Sequence, residues 1–379
     1  MFNKLKIAFI IIILILITFY FLPFGNLINY FKYNSYSKNN LKINLTIVNS
    51  AISKLCADSS NKLILKIDIT DSFGNPVSGI PITINLSKNL GYTYPNNIRS
   101  DNYGQSIFNY IPPDYNLNDF NNGDIEISII ASILNNTKKS TINIELTSLP
   151  LIYIPGYQEG PAVFDTMNDY FTKKGFSGAI LNYNSTLGII SGSKTLDEFI
   201  ILQKKEYLLK GIQVKKFNLL AHSMGGLVAR NYTCNNLYYK NDDVKKIIFI
   251  SVPHHGSVFA PIGANYFNDQ GIEDLIPDSN YQTKILTSLH NKGLNNNIET
   301  GNILGQYDEV VSPESANLEN WNIEVDIFNV GENNFSVDNL LSGSLLEAPN
   351  HKIILNNLKV YKKIQEMLVK TLPFPSIVK

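Results

Sequence analysis

Leu219-Leu220-Ala221-His222-Ser223-Met224-Gly225-Gly226-Leu227 sets a serine between a short apolar run and a segment with apolar residues at helical spacing. Phe217 to Ala221 reads as a parallel strand buried on both faces, while Leu227, Val228 and Tyr232 recur as one side of a helix does. A serine whose hydroxyl must stand clear of a sheet edge occupies a strained strand-to-helix turn, so the residues two before and two after it must be small. Ala221 and Gly225 meet that demand. The serine then lies at a helix N-terminus, where free backbone N–H groups, that of Met224 among them, face any negative oxygen formed during attack.

The same grammar runs through everything after Pro150. Strands are predicted at Leu151 to Ile154, Gly178 to Tyr183, Lys246 to Val252, Gly301 to Leu304 and near Ile323 to Val330. Helices are predicted at Ala162 to Lys174, Thr195 to Lys210, onward from Gly225, and from about Ile353 to Thr371. Such alternation means a parallel sheet with helices on both faces, and ligands of such sheets bind at the carboxyl ends of the strands.

Upstream, from Leu41 to Leu149, the period changes to two. Leu41 to Ile47, Leu63 to Thr70, Ile80 to Leu86, Ile125 to Ile133 and Thr141 to Leu146 read as strands separated by Gly, Pro, Asn and Asp, which argues for an antiparallel sandwich. Asp68, Asp71 and Asp101 lie beside turn formers and are expected to cap the backbone rather than bind a cation. The stretch Asp68 to Ile84, followed by Ser100-Asp101-Asn102-Tyr103-Gly104-Gln105-Ser106, resembles bacterial immunoglobulin-like domains of the invasin type. The resemblance implies a stalk or adhesive spacer that touches a surface or cell wall.

Lys4 and Lys6 precede the run Ile7 to Phe24, which only Thr18 and Pro23 interrupt. A span of about 17 to 25 apolar residues can cross a bilayer as a helix. No small-x-small cleavage site follows, so residues 1–25 are expected to be an uncleaved anchor and 26–40 a spacer, with the remainder outside the cytoplasm; cleavage would instead release a secreted protein.

The 379 residues suggest two or three domains, and a hydrophobic fraction of 44% suffices for real cores. Thirty-two basic residues balance 32 acidic ones without a basic stripe, which leaves nucleic acid no electrostatic footprint. Cys56 and Cys234 are far apart, expected in different domains, and build neither a disulfide framework nor a metal site.

A serine hydroxyl needs a base, and the base an orienting group. Of five histidines, His222 flanks the serine and is constrained by the turn, His254 and His255 follow the next strand, and His290 lies in a polar patch. His351, in the loop before the last helix, is where a base would reach the sheet edge. Asp308 opens the loop after a short strand, with Glu309 beside it as a lesser alternative and Asp326 inside a strand. Ser223, Asp308, His351 is the chain order that a nucleophile elbow of this kind requires.

From about Leu149 onward the chain resembles the α/β-hydrolase fold, and within it the bacterial lipases. Ala221-His222-Ser223-Met224-Gly225 is similar to their alanine-first elbow, and Ser251-Val252-Pro253-His254-His255-Gly256-Ser257 to their Thr-Pro-His-x-Gly-Ser stretch. Asp274-Leu275-Ile276-Pro277-Asp278-Ser279 is similar to a segment of their lid insert, Asp308 with Val310 and Val311 to the acid loop, and His351 to the histidine loop. The resemblance implies nucleophile Ser223, base His351 and acid Asp308. It also implies an oxyanion hole from the backbone N–H groups of Tyr157 and Met224. One departure stands out: these lipases carry His-Gly after their first hydrolase strand, whereas this chain reads Ile154-Pro155-Gly156-Tyr157-Gln158.

The expected architecture is thus an immunoglobulin-like sandwich, 41–149, followed by an α/β-hydrolase domain, 150–379, with an insert at 258–297 that reads equally as an acyl-lined lid or a plain helical cap. The expected activity is hydrolysis of carboxylic esters, lipid esters foremost, with no metal or organic cofactor; the substrate-binding residues are unassigned. Acyl transfer or amide cleavage by the same triad, and a surface adhesin with an inactive hydrolase domain, are the alternatives.

Overall fold

The computed structural model describes residues 41–120, 123–133, 137–332 and 349–378. The anchor and spacer expected at 1–25 and 26–40 lie outside them. Among the described residues no helix is long and apolar enough to cross a membrane.

Two compact units are present. One comprises residues up to Ser50, Lys62–Pro112 and Glu126–Ile144; the other comprises Ala51–Asn61, Pro113–Ile125 and Glu145–Lys379. Cys56 therefore belongs with Cys234 to the second unit rather than to a different one, and both thiols are free and buried.

The chain forms strands β1 (Lys42–Ile47), β2 (Lys54–Cys56), β3 (Leu63–Thr70), β4 (Pro81–Leu86), β5 (Tyr92–Tyr94), β6 (Ile98–Arg99), β7 (Gln105–Ile111), β8 (Ile125–Ile133) and β9 (Lys138–Thr147) before the hydrolase-like region. In the first unit β1, β3, β7 and β5 pair antiparallel in that order, and β4 pairs antiparallel with β8 and β6. Alternation decides which side is buried: Leu63, Leu65, Ile67 and Ile69 of β3 are inaccessible, and the residues between them are not. β7 escaped the sequence reading because Ile107 faces solvent, so its apolar residues do not alternate cleanly, yet Phe108 and Tyr110 are buried. Asp71 and Asp101 cap turns, each accepting two backbone N–H groups two and four residues ahead.

In the second unit β10 (Leu151–Ile154), β11 (Gly178–Ile180), β13 (Phe217–His222), β14 (Val244–Ile250), β15 (Glu299–Gly305) and β16 (Asp326–Phe328) form a sheet of order β11-β10-β13-β14-β15-β16, parallel throughout. β12 (Ile212–Gln213) pairs outside it, with β2. The α/β class expected from sequence is the one observed. Successive strand residues feed two different cores. Ile152, Ile154, Leu219, Ala221, Ile247 and Phe249 pack with helices Gly188–Leu209 and Met224–Cys234, and Leu151, Tyr153, Leu220, Ile248 and Ile250 with helices Asp165–Thr172 and Leu358–Val369. Both faces of the sheet are therefore covered, which is why its strands read as continuous apolar runs.

The helix predicted from Thr195 begins at Gly188 instead. Gly192 lies within it: a Cβ there would meet the side chains of Val228 and Tyr183 within 3 Å, so the glycine lets two helices approach closely.

Candidate active site

The elbow forms as its sequence requires. Ser223 has φ 51 and ψ −131, directly after β13 and directly before helix Met224–Cys234. A non-glycine residue at positive φ persists only where its surroundings over-determine it. Here the Ser223 N–H donates to the Ile250 carbonyl at 3.1 Å and its carbonyl accepts from Gly226 at 2.9 Å, which fixes both sides of the turn. A Cβ at Gly225 would strike the carbonyl oxygens of Ile154 and Pro155, so glycine is the residue that admits the loop after β10. That loop also lies against the serine, since a Cβ on Gly156 would come within 2.7 Å of Ser223 Cβ.

Asp308 and His351 meet although 43 residues separate them: His351 Nδ1 donates to Asp308 Oδ2 at 2.8 Å and lies 3.0 Å from Oδ1. Oδ1 also accepts the N–H groups of Val310 and Val311, both at 2.9 Å. Burial alone would raise the Asp308 carboxyl, but the charge and hydrogen bond of His351 hold it below the usual carboxylate value. Burial likewise disfavours the His351 imidazolium, and Asp308 outweighs it, so that the histidine is raised above its ordinary value. Among the described residues neither Ser223 Oγ nor His351 Nε2 has a hydrogen-bond partner. A nucleophile and a base nitrogen are both left open.

Glu309 takes a different part from its neighbour. Its two carboxylate oxygens accept the N–H groups of Asn350 at 3.1 Å and His351 at 3.0 Å, which clamps the start of the short helix Pro349–Ile353 that carries the histidine where a loop was expected. His254 is fully buried, its Nδ1 3.3 Å from Arg230 Nη1, and burial followed by the Arg230 charge pushes it well below the ordinary histidine value. His255 bonds the Asn317 carbonyl and His290 the side chain of Asn296. Asp326 lies on the edge strand β16 and pairs with Lys363 at 3.0 Å.

The backbone amides of Tyr157 and Met224 donate to no acceptor among the described residues. The proline that replaces histidine before Gly156 is accommodated by other bonds: Tyr183 Oη donates to the Pro155 carbonyl at 2.9 Å, Gly156 N–H to Glu159 Oε2 at 2.6 Å, and Gln158 N–H to Ser185 Oγ at 2.8 Å. Tyr157 Oη in turn donates to Asp269 of the insert at 2.7 Å.

The insert carries short helices at Ala260–Gly263 and Gln270–Asp274. Ile272, Leu275 and Tyr281 are buried, while Val258, Ile262, Tyr266 and Phe267 are 43–71% exposed.

One residue escaped the sequence reading. Glu159 is buried, its Oε2 2.8 Å from His222 Nδ1, and the other ring nitrogen of His222 lies 3.0 Å from the His351 carbonyl oxygen. Burial, the largest influence, would raise Glu159; the charge and hydrogen bond of His222 overcome it and bring the carboxyl down to about 2. His222 was expected to be too constrained by the turn to reach back to the serine, and its two ring nitrogens face Glu159 and the His351 carbonyl oxygen instead. No motif marks Glu159, and only the paucity of reasons for an acid three residues beyond Gly156 could have drawn notice.

Residues 150–340, half of the chain, match the family model described as alpha/beta hydrolase fold. No curated protein matches the sequence. Among solved structures, Bacillus licheniformis lipase BlEst2 in its mature form is 15% identical, with a TM-score of 0.34 over 44% of this chain and 69% of that one. Its propeptide form is 13% identical, with a TM-score of 0.44 over 61% of this chain and 52% of that one. Phospholipase PlaB from Legionella pneumophila in complex with thio-NAD is 14% identical, with a TM-score of 0.40 over 58% of this chain and 61% of that one.

Proposed function

We propose that this chain, which belongs to the alpha/beta hydrolase family, is a serine hydrolase of carboxylic esters, lipid esters foremost. The observation that carries the reading is the 2.8 Å bond from His351 Nδ1 to Asp308, on a loop that shares the sheet edge with a serine at φ 51. Asp308 fixes the imidazole tautomer, so that Nε2 is the basic nitrogen and takes the Ser223 proton as Oγ attacks the acyl carbon. The negative oxygen of the tetrahedral intermediate receives the free N–H groups of Tyr157 and Met224. His351 then returns the proton to the departing alcohol. Water, deprotonated by the same nitrogen, attacks the acyl-enzyme, the acyl–Oγ bond breaks to release the acid, and His351 returns the proton to Ser223 Oγ.

The four exposed apolar side chains of the insert support an acyl or lipid substrate over a small polar one. The apolar run at residues 7–24 supports attachment to the outer face of a membrane, with the strand-rich unit as a surface-contacting spacer.

The test uses the full chain in detergent on p-nitrophenyl esters of short and long acyl chains, beside Ser223→Ala and His351→Ala. Turnover that disappears in both variants supports the triad, and a preference for long chains supports lipid esters. A folded parent protein that turns over no ester would overturn the reading in favour of an amide substrate, an alcohol acceptor or a binding role.

A further inference from the structure

We propose that Glu159 and His222 form a buried hydrogen-bonded pair that positions the reacting groups, joining the loop that carries Tyr157, the turn that carries Ser223 and the short helix that carries His351. The inference rests on the assignment of Ser223, His351 and Asp308 given above, and goes beyond it to residues that touch no substrate.

The geometry is a chain of short bonds. Glu159 Oε2 accepts the Gly156 N–H at 2.6 Å and lies 2.8 Å from His222 Nδ1. His222 Nε2 lies 3.0 Å from the His351 carbonyl oxygen, and the two imidazole rings are 4.6 Å apart. A carboxylate and a carbonyl only accept hydrogen bonds, so the ring faces an acceptor on each side. His222 thus bridges Glu159 on one side and the His351 carbonyl on the other. Both are buried, with His222 fully inaccessible.

Each end of the pair controls one neighbour of a reacting atom. Gly156 precedes Tyr157, so the bond from its N–H to Glu159 fixes the backbone next to the Tyr157 amide. His222 precedes Ser223, and its second bond holds the backbone of the base itself. Glu309 holds the amide side of His351 while His222 holds its carbonyl side, so the base is gripped through the peptide groups on both flanks as well as through its ring. Rigid support of this kind matters because catalytic groups must be held to within about half an ångström of the productive geometry.

The experiment measures kcat and KM of the full chain on p-nitrophenyl butyrate, with turnover normalised to the serines titrated by a phosphonate. Glu159→Gln keeps the shape and removes the charge. His222→Asn keeps a donor toward Glu159 and loses the one toward His351, and His222→Gln does the reverse. The expected result is a tenfold or greater fall of kcat per titrated site in Glu159→Gln with KM within twofold, a smaller fall in each His222 variant, and a double variant no worse than Glu159→Gln alone. Glu159→Gln with kcat per site within twofold of the parent overturns the proposal, including the case in which only the number of titratable sites falls. Should Glu159→Gln fail to fold, the two His222 variants decide by the same criterion. Retention of parental turnover by Ser223→Ala would instead overturn the underlying triad, so the two failures are told apart.

Discussion

Replacing Asp308 with asparagine is predicted to abolish nearly all turnover while leaving the fold in place, and the hydrogen bonds around the carboxylate explain why. Oδ1 accepts two backbone N–H groups, of Val310 and Val311, at 2.9 Å, and Oδ2 faces His351 Nδ1 at 2.8 Å. An asparagine keeps its carbonyl oxygen on the two amides, because the flipped side chain would set N–H against N–H. Its Nδ2 then points a donor at His351 Nδ1, which becomes the acceptor and drives the ring proton to Nε2. A protonated Nε2 cannot take the proton of Ser223. The wrong tautomer in an otherwise intact triad lowers kcat by about 10⁴-fold, which corresponds to about 5 kcal/mol of transition-state stabilisation. The assay is kcat and KM on a p-nitrophenyl ester, with a thermal melt to show that the variant is folded. Asp308→Asn within tenfold of the parent kcat would refute both the assignment of the acid and the tautomer argument.

Two further outcomes are expected. His351 must be neutral to act as base and is raised above the ordinary imidazole value by Asp308. Activity is therefore lost as pH falls through that raised value, and the acid limb of kcat/KM should have its midpoint above about 6.5; a midpoint below that figure contradicts the paired geometry. Gly225→Ala would press a methyl group against the carbonyl oxygens of Ile154 and Pro155, at a cost of about 1–3 kcal/mol. A lowered melting temperature together with lost turnover is expected, and a variant unchanged in both would show that the elbow is looser than described.

The parts of the molecule legible in the sequence are those that local chemistry dictates. The strand, the positive-φ serine and the glycine behind it form one continuous nine-residue signal, whereas His351, expected in a loop, stands in the short helix Pro349–Ile353. Glu309, the lesser alternative, points away from its neighbour: Asp308 reaches the ring of His351 and Glu309 its backbone. What could not be read were relations created by packing. Glu159 and His222 are 63 residues apart and become partners only when two loops meet at the end of the sheet. The close approach of a neighbouring helix at Gly192 is another such relation. β7 hides its period because Ile107 is apolar on the wet face. The association of Ala51–Asn61 with the later unit is likewise a product of long-range pairing, since Lys54–Leu55 finds its parallel partner at Ile212–Gln213.

The alternation of strand residues between two cores makes β13 a ruler with two marks. Leu219 and Ala221 belong to one layer and Leu220 to the other, so an insertion of one residue before the turn would exchange the layers and put every side chain against the wrong helices. An insertion of two would restore the layers but carry the serine about 7 Å further along the strand axis, away from a histidine whose place is set by a separate short helix. Parity forbids the first change and reach forbids the second. Variation in the length of this polypeptide is therefore confined to places where neither rule applies, such as the stretch between β14 and β15, where the insert stands.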